Sequence, residues 1–255
     1  MDEASAPTWK CLGASVQGTS HAKVGMPCQD AHSWKLLDDG TLIVAVADGA
    51  GSAPHSEIGA RAAVSAAVAY FQTYVDDAYT ANSASNHLTY ALDAAREAVI
   101  AEADRLGCEV RELASTLILV LATPTEVWAQ QTGDGAVVVR CLDGSLIALT
   151  SPRNGEYPNE TTFLTSEDAR DEAQNVMIPY SSDCLAIFTD GLQPIALNLA
   201  NGEPHAPFFE PLLQFASQVT DPSSGVEQLE KFLSSPRVAQ RTDDDLTLVL
   251  AVLQK

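Results

Sequence analysis

Four short runs set the main constraint on how this chain can fold. Residues 41–47 (TLIVAVA), 116–121 (TLILVL), 184–188 (CLAIF) and 246–253 (LTLVLAVL) are rich in β-branched and aliphatic residues and apolar at both odd and even positions. A strand with one wet face alternates apolar and polar side chains; these runs do not, so both of their faces must be covered. They read as inner strands of a packed sheet or sandwich. Alanine-rich stretches between them supply the cover. One helix is expected over 55–75, with Ser52 as its N-cap and Pro54 in its first turn, and a second over 86–106, ended by Gly107. Two long adjacent helices between strands suggest an antiparallel pair laid over one sheet face. Two more helices are expected at 208–219 and 225–233, ahead of a last strand over 245–253.

Residues 151–183 break the pattern. This stretch is polar, contains Asn154-Gly155 and Pro158, and reads as a flap or surface excursion. No repeat and no linker is visible, so residues 1–255 are read as one domain.

Charge narrows the function. There are 34 acidic and 14 basic residues, a net charge of −20. Nothing here would neutralise a nucleic-acid backbone or an anionic membrane surface, so neither is an expected partner. The start, Met1 to Pro7, carries no apolar export signal, and no run is long enough to span a bilayer. The expected location is the cytoplasm. Five cysteines without a CxxC spacing fit small buried apolar groups in a reducing compartment, not a zinc site or a disulfide framework.

The aspartates fall at strand ends. Asp48 follows the run TLIVAVA and precedes Gly49-Ala50-Gly51. Asp190 follows CLAIFT and precedes Gly191. Asp134 lies in Gly133-Asp134-Gly135, and Asp243-Asp244-Asp245 opens the final strand. In an antiparallel sheet, the end of one strand lies beside the start of its neighbour, so such residues can share one edge. One pair can be counted directly. Asp38-Asp39-Gly40 is a hairpin signal; a three-residue turn pairs Leu37 with Thr41 and in the same register sets Asp30 opposite Asp48, whereas a two-residue turn shifts this by one residue and still leaves them neighbours. The flanking glycines are expected to leave room for a ligand and to permit positive φ, and Gly49 also offers a carbonyl.

Clustered carboxylates repel. Two charges about 4 Å apart cost roughly 4 kcal/mol at an effective dielectric near 20. The cluster must protonate or bind cations, and an all-oxygen set without His or Cys suits Mg²⁺ or Mn²⁺. A pair of such ions favours in-line attack of water on phosphorus.

Taken in order, Gln29-Asp30-Ala31, Val46-Ala47-Asp48-Gly49-Ala50-Gly51-Ser52, Ala114-Ser115-Thr116-Leu117, Thr132-Gly133-Asp134-Gly135, Phe188-Thr189-Asp190-Gly191-Leu192 and Asp244-Asp245-Leu246-Thr247 resemble the motifs of the metal-dependent type 2C (PPM) serine/threonine protein phosphatases. The segment from Gly18 to Ala31 looks like a small bacterial branch. The resemblance implies an α+β, four-layer αββα sandwich of two antiparallel sheets flanked by antiparallel helix pairs. It implies two Mg²⁺ or Mn²⁺ ions with a weaker third. Asp48, Asp190 and Asp244 would bind the first ion, and Asp48 and the Gly49 carbonyl the second. Asp30 would act through metal-bound water, and Asp134 with Asp190 would hold the third ion. Within the Asp243–Asp245 triplet, the spacing to Thr247 favours Asp244. The substrate implied is a phosphorylated protein, dephosphorylated at serine or threonine opposite a cognate kinase, by a chain expected to be monomeric.

Three positions depart from the family pattern. Gln29 stands for a usual Glu and can ligate only through a neutral oxygen. Gly25 stands for the phosphate-gripping Arg, which leaves His21 or Lys23 as candidate substitutes, His21 being the candidate substrate-binding residue. Ala50 stands where some members have His. These departures leave two alternatives in view: a catalytically weak pseudo-phosphatase that binds phosphoproteins or a kinase, and a phosphatase for small metabolites.

Overall fold

Every residue of Leu42–Ala47 and Leu117–Ala122 is buried, as runs apolar on both parities require. The computed structural model describes residues 7–74, 81–152, 161–178 and 182–254. Numbered along the chain, the elements begin with β1 (Thr8–Val16), α1 (Thr19–Val24), β2 (Ala31–Leu36), β3 (Leu42–Ala47), α2 (Ser56–Thr73) and α3 (Ala81–Leu106). Then come β4 (Leu117–Ala122), β5 (Val127–Thr132), β6 (Ala136–Cys141), β7 (Leu146–Ala148), β8 (Gln174–Ile178) and β9 (Ser182–Phe188). The chain closes with α4 (Gln193–Ala196), α5 (Ala206–Gln218), α6 (Pro222–Leu233), α7 (Pro236–Ala239) and β10 (Leu246–Gln254).

The strands form two five-stranded sheets, ordered β1-β10-β9-β6-β7 and β2-β3-β4-β5-β8, and all the pairings are antiparallel. Strand periodicity sorts the apolar side chains into layers. In β3, Leu42, Val44 and Val46 join the core between the sheets, while Ile43, Ala45 and Ala47 face outward to a core shared with α2 and α3. In β10, Val249, Ala251 and Leu253 enter the central core, and Leu248, Leu250 and Val252 face the core under α5 and α6. Each Leu, Ile or Val so buried contributes about 1.5–3 kcal/mol of transfer free energy. The result is the αββα sandwich implied by the resemblance.

Helix α2 buries Ala60, Ala63, Val64, Ala67, Val68 and Phe71, and α3 buries Leu88, Ala91, Leu92, Ala95 and Val99. These spacings follow the helical repeat, and the small alanines let the two helices pack closely. Two helix starts differ from expectation. Helix α2 begins at Ser56 with His55 as N-cap and no side-chain cap; Ser52 and Pro54 lie in the preceding turn. The entry is fixed instead by tertiary backbone pairing, with the His55 N–H donated to the Glu112 carbonyl at 2.9 Å. Helix α3 starts at Ala81, five residues earlier than the periodicity indicates, because its first turn is polar.

The β2–β3 register is the one counted from the turn. Ala31 pairs with Ala47 and Leu36 with Leu42. The Leu37 N–H reaches the Thr41 carbonyl at 2.8 Å, and Gly40 takes φ of 84°. Within 151–183, β8 adds to the edge of its sheet beside β5, and Leu164 is fully buried in the core under α2 and α3. Asn154, Gly155 and Pro158 lie outside the described residues. Among the described residues, no helix is long and apolar enough to cross a membrane.

Candidate metal centre

One step beyond the Ala31–Ala47 pair, β2 and β3 bring Asp30 alongside Asp48. Thr116 fixes the Asp48 backbone twice: its hydroxyl accepts the Asp48 N–H at 3.0 Å, and its own N–H reaches the Asp48 carbonyl at 2.8 Å. From the other sheet, β9 ends at Phe188 and the chain turns tightly over Asp190–Leu192. Asp134 sits on the link by which the chain passes from β5 in one sheet to β6 in the other. Its Oδ2 accepts the Thr161 hydroxyl at 2.8 Å, and its carbonyl accepts Gln193 Nε2 at 2.5 Å.

Carboxylate oxygens of Asp48, Asp134 and Asp190 all lie within 4.8 Å of one another. Asp30 is 7% exposed and sits close enough for its charge to act on Asp48. Its Oδ2 accepts the Thr189 hydroxyl at 2.8 Å, and Thr189 in turn accepts the Thr247 N–H at 3.1 Å. Burial, with added repulsion from Asp245 and Asp190, pushes the Asp30 carboxyl up to about 8 against the pull of the threonine hydroxyls. Burial raises Asp48 well above the carboxylate range, and the charges of Asp30, Asp190 and Asp244 push the same way. Asp190 is raised by burial first, then by Asp134 and Asp244. Asp244 is exposed, yet its charge reaches both Asp48 and Asp190.

Asp245, by contrast, is 3% exposed and holds other parts in place. Its Oδ1 accepts the Gly18 N–H at 2.6 Å. Its Oδ2 accepts the Gln29 N–H at 2.6 Å and faces His21 Nδ1 at 2.8 Å. This lock ties α1 and the approach to Asp30 onto the start of β10. Gly18 lies so close to the Asp243–Asp244 backbone that a Cβ there would collide with it. The triplet therefore divides its labour: the Asp243 carbonyl receives Ser20, Asp244 accepts the Asp245 N–H through Oδ1 at 2.8 Å while its charge reaches the cluster, and Asp245 anchors the loop.

The glycines act differently from expectation. Gly49 and Gly51 do not adopt positive φ; of the glycines beside the cluster, only Gly133 does, at 109°. Gly49 is needed for packing, since a Cβ would sit 2.8 Å from both the Gln29 carbonyl oxygen and Ser56 Cβ. Gly25 ends α1 with φ of 72°. An arginine there would be strained, so the departure at this position lies in the backbone as well as in the side chain. His21 has its Nδ1 directed to Asp245. Ala50 is 9% exposed and donates its N–H to the Ala114 carbonyl at 2.9 Å.

Sequence reasoning missed Thr189, Thr116, Thr161 and the lock at Asp245. A visible signal existed for one of them: Thr189, like Thr247, is a polar interruption at the end of an otherwise apolar strand.

The donors fit a hard divalent cation. Asp30 Oδ1, Asp190 Oδ1 and Gln29 Oε1 are buried and have no hydrogen-bond partner. Buried oxygens left without donors are costly, and a cation satisfies several at once. An all-oxygen set dominated by carboxylates matches Mg²⁺-like ions and does not suit soft metals.

A family model described as protein phosphatase 2C matches residues 17–234. The serine/threonine-protein phosphatase 3 of Escherichia coli (strain K12) is 38% identical over 251 residues, covering 96% of this chain and 98% of that protein. Among solved structures, the serine/threonine phosphatase of S. agalactiae superimposes with a TM-score of 0.68 at 13% identity, covering 96% of this chain and 100% of that one. The serine/threonine phosphatase Stp1 of Staphylococcus aureus gives a TM-score of 0.66 at 13% identity, covering 97% and 96%.

Proposed function

Because this chain belongs to the protein phosphatase 2C family, we propose that its carboxylate cluster hydrolyses phosphoserine and phosphothreonine esters in proteins. The observation that carries this reading is the meeting of Asp48, Asp134 and Asp190, from different strands and both sheets, within 4.8 Å. The chain is a metal-dependent serine/threonine protein phosphatase. Its ions would be Mg²⁺ or Mn²⁺, two with a weaker third. Asp48, Asp190 and Asp244 would hold the first, Asp48 and the Gly49 carbonyl the second, and Asp134 and Asp190 the third. Gln29 Oε1, buried and without a partner, adds a neutral oxygen.

When bound, such ions polarise the phosphoryl oxygens and lower the pKa of the attacking water. The protein's own groups do the rest. Asp30 keeps one carboxylate oxygen occupied by Thr189 and the other without a partner. With cations beside it to keep the carboxylate ionised, that second oxygen can accept a proton from the attacking water and hold it away from phosphorus. Thr116 keeps Asp48 in register, so its carboxylate does not have to reorganise during the reaction. His21, oriented through Nδ1, leaves Nε2 to meet a phosphate oxygen in place of the arginine that Gly25 cannot supply.

The partners are phosphorylated proteins, with a cognate serine/threonine kinase as the opposing activity, and the chain acts as a cytoplasmic monomer. Membership of a phosphatase family and the carboxylate cluster support turnover over the silent phosphoprotein-binding alternative raised by Gln29, Gly25 and Ala50, and no feature of the site favours a metabolite over a peptide.

The test is hydrolysis of phosphoserine and phosphothreonine peptides with Mn²⁺, with chelator, and in Asp48→Asn and Asp190→Asn. Turnover should need the ion and fall at least about a hundredfold in each variant. Full activity in chelator, or in both variants, would refute the assignment.

A further inference from the structure

The two helical layers are built differently. Helices α2 and α3 pack along their length. Helix α5 packs on β10 and β1 and helix α6 on β1, while the backbones of the two helices stay apart. The space between them is a half-open cavity of about 630 Å³ that residues of α4 and α7 also line. Pockets for small molecules run from about 300 to 1,000 Å³ and are mostly apolar. Phe208, Phe215 and Leu229 line this one, with Phe232, whose ring centroid is 6.3 Å from that of Phe208.

Helix α5 thus has two apolar faces. Phe209, Leu213 and Ala216 are spent on the core. Phe208 and Phe215 turn to the cavity, where an ordinary surface helix would carry charge.

The charge at the rim gives the occupant a sign. Arg237 and Arg241 line the cavity and are exposed. Among the described residues, neither is ion-paired, although the chain has 34 acidic groups for 14 basic ones. Some other surface cations pair, as Arg170 does with Asp93 at 2.9 Å and Arg105 with Glu102 at 2.8 Å, while Lys23 and Lys35 stand, among the described residues, as single charges; what sets Arg237 and Arg241 apart is that two guanidinium groups share the edge of one apolar cavity. A guanidinium is a planar fork that fits a carboxylate through two parallel hydrogen bonds. Two unpaired forks beside an aromatic slot match a carboxylate head on an apolar tail. The remote negative charge of the protein weighs little against this contact, because salt screens it beyond about 10 Å at 0.1 M.

We infer that the α5–α6 cavity is a binding site for an amphipathic monocarboxylate of medium to long chain, its tail among Phe208, Phe215 and Phe232 and its head on Arg237 and Arg241. The inference does not depend on the phosphatase chemistry. It does place a ligand next to it, because the cavity wall Pro194–Ile195 follows Gln193, which is bonded to the Asp134 carbonyl.

The test is calorimetric titration of the full chain with laurate below its micelle concentration, beside dodecyltrimethylammonium, which has the same tail and the opposite charge. Unspecific attraction to a protein of charge −20 would favour the cation. The cavity should instead take one equivalent of laurate, with the cation at least about tenfold weaker. The double variant Arg237→Glu/Arg241→Glu, at exposed positions that leave the fold intact, should lose at least about tenfold in laurate affinity with an unchanged melting temperature. Absence of saturable laurate binding would overturn the inference, as would equal binding by the double variant or tighter binding of the cation. Sedimentation as a dimer that Phe232→Asp dissociates would assign the cavity to a second copy of the chain and also overturn it.

Discussion

Asp245→Ala separates an anchor from a metal ligand. The wild-type carboxylate receives the Gly18 and Gln29 N–H groups, both at 2.6 Å, in a site where Asp245 is 3% exposed. A hydrogen bond to a charged group contributes about 1.5–3 kcal/mol, and a donor left buried without an acceptor costs on that order. Two such losses give about 4 kcal/mol. For a chain of this size each kcal/mol moves the melting temperature by about 2 °C or more, so a fall of about 8 °C is expected. Asp245→Asn keeps one acceptor oxygen and should lose roughly half as much. His21→Ala removes only the third contact and should cost less than either. The informative assay is thermal unfolding with excess chelator. Taking one charge out of a repulsive metal-binding cluster stabilises the metal-free fold, whereas removing an anchor destabilises it. Asp245→Ala should therefore melt lower even without metal, and by clearly more than Asp244→Ala, in which relief of charge repulsion offsets the loss of one hydrogen bond from the Asp245 N–H at 2.8 Å. A metal-free Asp245→Ala protein as stable as wild type would refute the division of labour drawn within the triplet, and so would one that suffers only when Mn²⁺ is present.

Further outcomes follow from the same geometry. Asp30, Asp48 and Asp190 have carboxyls raised in the folded state, so the metal-free fold holds protons that the unfolded chain releases. Their stabilising contribution is complete below the ordinary value of 3.8 and fades as pH rises toward about 8. Melting with chelator should thus fall across that window, and Mn²⁺ at about a hundred times its dissociation constant should restore about 2.7 kcal/mol near neutral pH; superimposable curves with and without metal would contradict this. Gln29→Glu adds a negative charge at a buried oxygen and should lower metal-free stability while tightening Mn²⁺ binding by about tenfold, read by calorimetry. Thr189→Val removes the hydroxyl donated to Asp30 and should cut turnover by about tenfold with little change in substrate KM, whereas an unaltered rate would show that Asp30 needs no such support.

What the sequence disclosed, and what it withheld, follows from the range of the interactions. The Asp30–Asp48 pairing was countable because a hairpin is local and its turn sets the register. Doubly covered strands were legible because burial on both faces removes the polar alternation. The entry to α2 was not, because it is fixed by a bond to Glu112, 57 residues away, and not by a capping side chain. The role of Asp245 was hidden because three adjacent aspartates look alike until the partners of one, Gly18 and Gln29, are known. The α5–α6 cavity was hidden for a similar reason: Phe208 and Phe209 are neighbours in sequence, and only the packing tells which belongs to the core.

The passage of the chain through Asp134, from one sheet into the other, has a consequence for how the enzyme comes into being. Asp30 and Asp48 are supplied by one sheet, Asp190 and Asp244 by the other, and Asp134 by the crossing itself. A molecule that has stacked only one of these layers owns half of the proposed ligand set, so chemical competence is expected to arrive together with the docking of the two halves.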